Sequence, residues 1–180
     1  MSEILWAPWR ISYLKGERPP GCVFCDAPAQ DPSRDEQNLI LYRGREMFVI
    51  MNLFPYANGH LMIVPYHHTD TLDEIKDTAA LEMFTLLRHC RHILTKSMWP
   101  QGFNVGMNMG RVAGAGIHEH LHLHIVPRWG GDTNFMPVLA ETKVISDHLQ
   151  NTYITLRPHF DELRRELLGD HPSGEDDSKA

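Results

Sequence analysis

The segment "IHEHLHLHIVPRW", Ile117 to Trp129, sets four histidines at every second position, a third of the twelve in the chain. In an extended strand successive side chains alternate between faces. His118, His120, His122 and His124 then share one face, and Ile117, Leu121, Leu123 and Ile125 turn into a core. Neighbouring rings on that face stand ~6–7 Å apart, twice the rise per residue. Such a face can be a solvated polar surface, a metal face, or a row of imidazoles working on phosphate. A solvated face would be served as well by Ser, Thr, Lys or Glu, and no carboxylate joins the histidines on that face to favour a catalytic metal. Imidazole is neutral near pH 7, nucleophilic, and able to carry a proton.

The turn before the strand, "GRVAGAG" (Gly110 to Gly116), allows positive φ and close backbone approach. Amides converging there could cradle an anion beside the histidines. Upstream, Cys22 and Cys25 form a C-x-x-C pair, a spacing that suits metal binding or redox chemistry in a reducing compartment. Cys90, the third cysteine of the chain, falls in a helical pattern and reads as a small buried hydrophobe.

These groups need a scaffold. "EMFVIMN" and "HLMIVPY" are apolar runs of strand length, joined through "LFPYANG", which predicts a hairpin. From Thr71 the period changes. Leu72, Ile75, Leu81, Phe84, Leu87, Cys90, Ile93 and Leu94 make a helical stripe, with Thr71 and Glu74 as a capping box and Pro100 and Gly102 as its end. "FNVGMNM" predicts a third strand, and Pro127 is expected to end the histidine strand. A second long helix is expected from about Ser146 to Leu168, with Pro158 as a break or kink. The fold class is α+β, an antiparallel sheet of about five strands with two main helices. The expected domains are an N-terminal arm over 1–30 with the C-x-x-C half-site, a body over 31–168, and a disordered acidic tail over 169–180.

At 180 residues and net charge −6 the chain fits one domain and argues against a broad nucleic-acid surface. No apolar run approaches the ~18 residues of a membrane span, and "MSEILWAPWR" has no signal-peptide core. A cytoplasmic protein without membrane or nucleic-acid partners is expected.

"HLHLHIV" resembles the histidine triad motif of the histidine triad nucleotide hydrolases and transferases, and "NLFPYANGHLMIVPYHH" is similar to that family's Asn…Pro-x-x-x-Gly-His-x-x-x-x-Pro segment. More narrowly, "LWAPWR", "GCVFC", "GAGIHEHLHLHIVPRW" and "GDTNFMPV" resemble a bacterial branch, the diadenosine tetraphosphate phosphorylases. The resemblance implies the family fold and a nucleotide or dinucleotide substrate. It makes His122 a nucleophile that forms a nucleotidyl-histidine. His124 would contact phosphate oxygens and the leaving group, and His60 would be the family's fourth histidine. Asn52 would bind ribose and Asn108 the phosphates, with the amides of Gly114, Ala115 and Gly116. Trp129 would either stack on a base or pack at a subunit contact. His118 lies outside the triad, at a solvent or rim position.

The resemblance also extends to a structural zinc site. Some relatives, galactose-1-phosphate uridylyltransferases among them, complete a Cys-x-x-Cys pair with two histidines. Here those are His120 and His68, with His67 as the near alternative. A homodimer with a sheet continued across the interface is implied as well. The activity implied is phosphorolysis of diadenosine tetraphosphate to ADP and ATP. Hydrolysis releasing AMP is the alternative, and a non-catalytic nucleotide-binding module the second. His124 leans toward hydrolysis, because relatives with Gln at that place are typically transferases, while the flanking motifs lean toward the phosphorylases.

Overall fold

The computed structural model describes residues 21–132 and 148–168. The expectations for the first part of the arm, for "GDTNFMPV" beyond Asp132 and for the acidic tail lie outside them. In chain order the elements are α1 (Val23–Ala29), β1 (Ile40–Arg43), β2 (Met47–Met51), β3 (Leu61–Pro65), α2 (Asp77–Met98), β4 (Gly102–Met107), β5 (Leu123–Arg128) and α3 (Leu149–Leu168), with short 3-10 turns between some of them. The five strands form one antiparallel sheet in the order β1-β2-β3-β5-β4. The architecture is α+β, as the sequence implies.

Both faces of the central strands are covered. Val49, Met51, Leu61 and Ile63 pack with Met83, Leu86, Leu94 and Phe160 of the two long helices. Phe48, Ile50, Met62 and Val64 turn the other way, to Phe24 and Ala27 of α1. This double burial is why "FVIM" and "LMIV" read as continuous apolar runs rather than alternating ones. The hairpin β2–β3 forms as expected, in register from Met47–Pro65 to Met51–Leu61.

Four local expectations are corrected. The long helix begins at Asp77, and Thr71 instead caps a separate 3-10 turn by accepting from the Asp73 amide. Leu72, Leu81 and Phe84 of the expected stripe are therefore exposed, and Ala79, Met83 and Leu86 are buried in their place with Cys90, Ile93 and Leu94. Counting back in helical steps from Cys90 gives that face. Pro127 lies inside β5 opposite Phe103. β3 pairs with β5 only as far as Ile125, so beyond it β5 has a side with no described strand, where a missing N–H is tolerated. Pro158 sits within α3 without ending it. Its ring frees the carbonyl of Ile154, on the exposed side of the helix, where water can replace the bond. Regular pairing of the histidine segment begins only at Leu123, so His118, His120 and His122 precede the strand.

Candidate active site

Hydrogen-bond partners fix the protonated nitrogen of each central imidazole. Nδ1 of His122 lies 2.8 Å from the His120 carbonyl oxygen. A carbonyl only accepts, so Nδ1 carries the proton and Nε2 keeps its lone pair. The ring is buried, and burial holds its pKa below the ordinary value despite the opposing pull of that carbonyl. A neutral imidazole with an available Nε2 is a nucleophile at neutral pH.

His60 and His124 form a second pair. The Tyr56 amide donates to Nδ1 of His60 at 3.1 Å, and the Asn52 carboxamide nitrogen lies 3.3 Å from the same atom. A neutral His60 then carries its proton on Nε2, which donates to Nδ1 of His124 at 2.9 Å. This leaves the His124 proton on Nε2, as a donor. Burial, then the charge His122 would carry, pushes the His124 pKa down to about 4. It donates a hydrogen bond at neutral pH without being charged. The ring centroids of His122 and His124 are 4.7 Å apart, close enough to act on one phosphoryl group.

The chain places His60 by strain and packing. Gly59 has φ +71°, and a Cβ there would lie 2.7 Å from Sδ of Met98. Asn52 bends the loop after β2 by accepting from the Phe54 amide at 2.9 Å. His124 is held on β5 between Met62 of β3 and Gly106 of β4.

His122 and His124 open on a cavity of about 530 Å³, within the range of small-ligand sites. Asn52, Asn108 and Gly116 line it, as do Tyr56, Phe24 and an apolar wall that includes Ile50 and Met62. Gly114 and Ala115 do not line it. Gly114 ends the preceding 3-10 turn at φ +85°. Trp129 is not brought to the cavity either; its indole N–H donates to the Met98 carbonyl at 3.2 Å. His118 is half-buried and faces Glu119 at 3.5 Å.

Behind the triad, Cys22, Cys25, His68 and His120 bring one ligand atom each within 4.8 Å of all the others. Nδ1 of His120 stands 3.3 Å from Sγ of Cys22, 3.6 Å from Sγ of Cys25 and 3.2 Å from Nδ1 of His68. Zinc–sulfur and zinc–nitrogen bonds of ~2.3 and ~2.0 Å in a tetrahedron imply ligand separations of about 3.3–3.8 Å. Nε2 of His120 lies 2.8 Å from the Pro65 carbonyl and donates to it, so its Nδ1 lone pair faces the cluster. The donor set and spacing fit a divalent metal. Without one, burial and the neighbouring Cys22 push the Cys25 thiol up to about 11. His67 stands outside the cluster, 3.5 Å from Glu74.

Phe24 and Tyr56 were not anticipated from sequence. Phe24, set between the two thiols in the chain, has its ring 5.5 Å from that of His120 and 5.0 Å from that of His122. Tyr56 lies 4.9 Å from the ring of His60. The one available signal was position, since each is an aromatic beside a residue already singled out.

Fold and site together define an α+β protein that turns a neutral imidazole with an available Nε2 toward a cavity of small-ligand size. The HIT domain model matches residues 33–131. A protein of Mycobacterium tuberculosis (strain H37Rv) named AP-4-A phosphorylase is 37% identical over 158 residues, 82% of this chain and 79% of its own. The asymmetrical bis(5'-nucleosyl)-tetraphosphatase of Schizosaccharomyces pombe is 26% identical over 117 residues, 64% of each chain. Among solved structures, a zinc-bound histidine triad family protein from Mycobacterium smegmatis superposes with TM-score 0.61 at 22% identity, over 81% of this chain and 97% of its own. The chain belongs to the histidine triad family. No helix among the described residues is long and apolar enough to cross a membrane.

Proposed function

We propose that the chain is a nucleotidyltransferase that phosphorolyses dinucleoside polyphosphates, diadenosine tetraphosphate with phosphate giving ADP and ATP. The observation that carries this reading is Nε2 of His122, held with its lone pair available by the His120 carbonyl and opening on the cavity that His124 shares. Nε2 attacks the α-phosphorus. A nitrogen–phosphorus bond forms, the bridging phosphorus–oxygen bond breaks, and its electron pair leaves with ATP. The Nε2–H of His124 stabilises charge on the phosphoryl oxygens or the leaving oxygen. A phosphate oxygen then attacks the same phosphorus from the vacated side. ADP forms, and the electron pair returns to Nε2 of His122. Asn52 would hold the ribose, and Asn108 and the Gly116 amide the phosphates.

The choice of phosphate as acceptor is supported by the likeness to the M. tuberculosis phosphorylase over most of both chains. Hydrolysis is the second reading, favoured by His124 in place of Gln and by the S. pombe relative. Purified protein is to be given diadenosine tetraphosphate with and without phosphate, and the products resolved by anion exchange. ADP that appears only with phosphate supports the phosphorylase. AMP with ATP regardless of phosphate makes the chain a hydrolase. No product in either condition overturns both.

In the same reading Cys22, Cys25, His68 and His120 hold a structural zinc that supplies a fixed cross-link between α1 and the triad and no chemistry on the substrate. The N-terminal arm, the histidine triad body to residue 168 and the acidic tail are its parts, and the protein works as a cytoplasmic homodimer.

A further inference from the structure

The cavity has a far end that the chemistry above leaves unused. Its walls beyond the histidines are apolar: Val23, Phe24 and Ala27 from α1, and Leu39, Ile50 and Met62 facing them. Phe24 lies on His122, and Ala27 stands three residues further along α1, about 5 Å by helical rise. Two amide side chains, Gln37 and Asn38, also line the cavity. Gln37 is exposed and bonded to Arg34 at 3.3 Å.

Asn38 is half-buried and pinned. Its carboxamide nitrogen donates to the Ala27 carbonyl at 3.4 Å and to Oε1 of Gln30 at 3.2 Å. The Ala27 carbonyl can only accept, so the atom facing it is nitrogen and the orientation of the amide is settled. Oδ1 is left as an acceptor with no partner among the described residues. An apolar slot suits a flat base, and an acceptor fixed in its lining beside Ala27 suits a donor on the edge of that base.

The geometry assigns Asn38 as a specificity-determining residue: Oδ1 accepts a hydrogen bond from the exocyclic amino group of adenine and so selects it over 6-oxo purines. This rests on the nucleotide reading above. A site built to bond a particular group discriminates strongly against ligands that lack it, because its own polar atom is then left unpaired. A 6-oxo group, as in hypoxanthine, would set acceptor against acceptor.

The test compares three mononucleotides by calorimetry: AMP, purine riboside 5'-monophosphate, which lacks the amino group, and IMP. The wild type is expected to bind AMP at least ~10-fold more tightly than either analogue. In Asn38→Ala the three affinities should fall within about twofold of one another. Asn38→Asp keeps an acceptor oxygen but loses the donor that ties the side chain to α1, so it should keep the preference for AMP over the purine analogue. A purely structural role would weaken all three ligands together and leave their ratio unchanged. A wild type that binds AMP and both analogues alike overturns the assignment while leaving the nucleotide reading intact. So does an Asn38→Ala variant with an unchanged ratio. A wild type that binds none of the three overturns the nucleotide reading and this one with it.

Discussion

A histidine attacks phosphorus only through a nitrogen with a lone pair, so the tautomer decides which ring of this chain can be the nucleophile. The carbonyl of His120 leaves Nε2 of His122 with its lone pair, and the chain of donors from Tyr56 through His60 leaves His124 as a donor instead. Replacing His122 by Asn removes Nε2 and keeps a polar side chain of lesser volume. Turnover of diadenosine tetraphosphate should then fall by roughly a thousandfold or more, while AMP affinity by calorimetry changes only a few-fold; retained turnover would exclude the intermediate. His124 makes a second prediction. Its pKa in the folded chain is lowered to about 4, against an ordinary 6.5. Between those values the unfolded chain binds a proton that the folded chain refuses, so this contribution to stability falls as the pH drops from 6.5 toward 4 and is level above. Urea midpoints at pH 7.5 and pH 5 should show a larger acid loss for wild type than for His124→Asn. At this scale the sequence was informative: alternate spacing picks out His120, His122 and His124, and the C-x-x-C picks out the thiols. It was silent on Phe24, Tyr56 and Asn38, whose roles come from contacts between segments far apart in the chain.

Helix α1 joins the Cys22, Cys25, His68 and His120 cluster to the cavity. It carries Cys25, follows directly on Cys22, and gives Phe24 and Ala27 to the wall. Its own length is seven residues, too short to be stable unless anchored. One anchor is the cluster. The other is Arg43 of β1, which donates to the Pro28 carbonyl at 2.6 Å and pairs with the buried Asp35 at 2.7 Å. Arg43→Ala leaves that carboxylate buried without its partner, and should cost about 3 kcal/mol in urea unfolding. An unchanged midpoint would mean that Asp35 finds water or Arg157 instead. Removing metal should loosen the other end of α1. Protein as purified should contain about one zinc per chain by elemental analysis, and chelation should lower Tm by several degrees in wild type but not in Cys25→Ser. Protein that holds no metal and melts alike with and without chelator would remove the cluster from the account. Sequence pattern found the hairpin and the second long helix, since continuous apolar runs and helical periods are local properties. It missed β1, where Leu39 at φ 60° and a register shift between Ile40 and Tyr42 break the alternation. It also set the wrong phase on the first turns of α2, at Leu81 and Phe84, while Cys90, Ile93 and Leu94 are buried as expected.

For the molecule as a whole, the proposed homodimer bears on β4. With β1 it is one of the two outer strands among the described residues, and Gly102–Met107 contains no charged residue and no proline, the usual guards of an exposed edge. Val105 is 48% exposed on it, and Met109 just beyond is 52% exposed. No described strand pairs with the outer side of β4, and main-chain groups along such an edge can take a further strand. A second copy that approaches about a two-fold axis brings the same edge antiparallel to itself, so every group offered finds its complement. The homodimer proposed above would use that self-complementarity, and the sheet would then run through both copies. Lysine at position 105 would place like charges close together across the axis and introduce a guard that natural edges use. Val105→Lys should therefore run as a monomer by light scattering at micromolar concentration where the wild type runs as a dimer, with its far-ultraviolet circular dichroism unchanged. The lining residues named above, His122 and His124 among them, do not include Val105, so the variant should still bind AMP within a few-fold of wild type. A Val105→Lys protein that remains dimeric would move the interface elsewhere, and the exposed face of α2 that carries Leu81 and Phe84 is the apolar surface to probe next. A monomeric variant that loses AMP binding would instead mean that the partner completes the site.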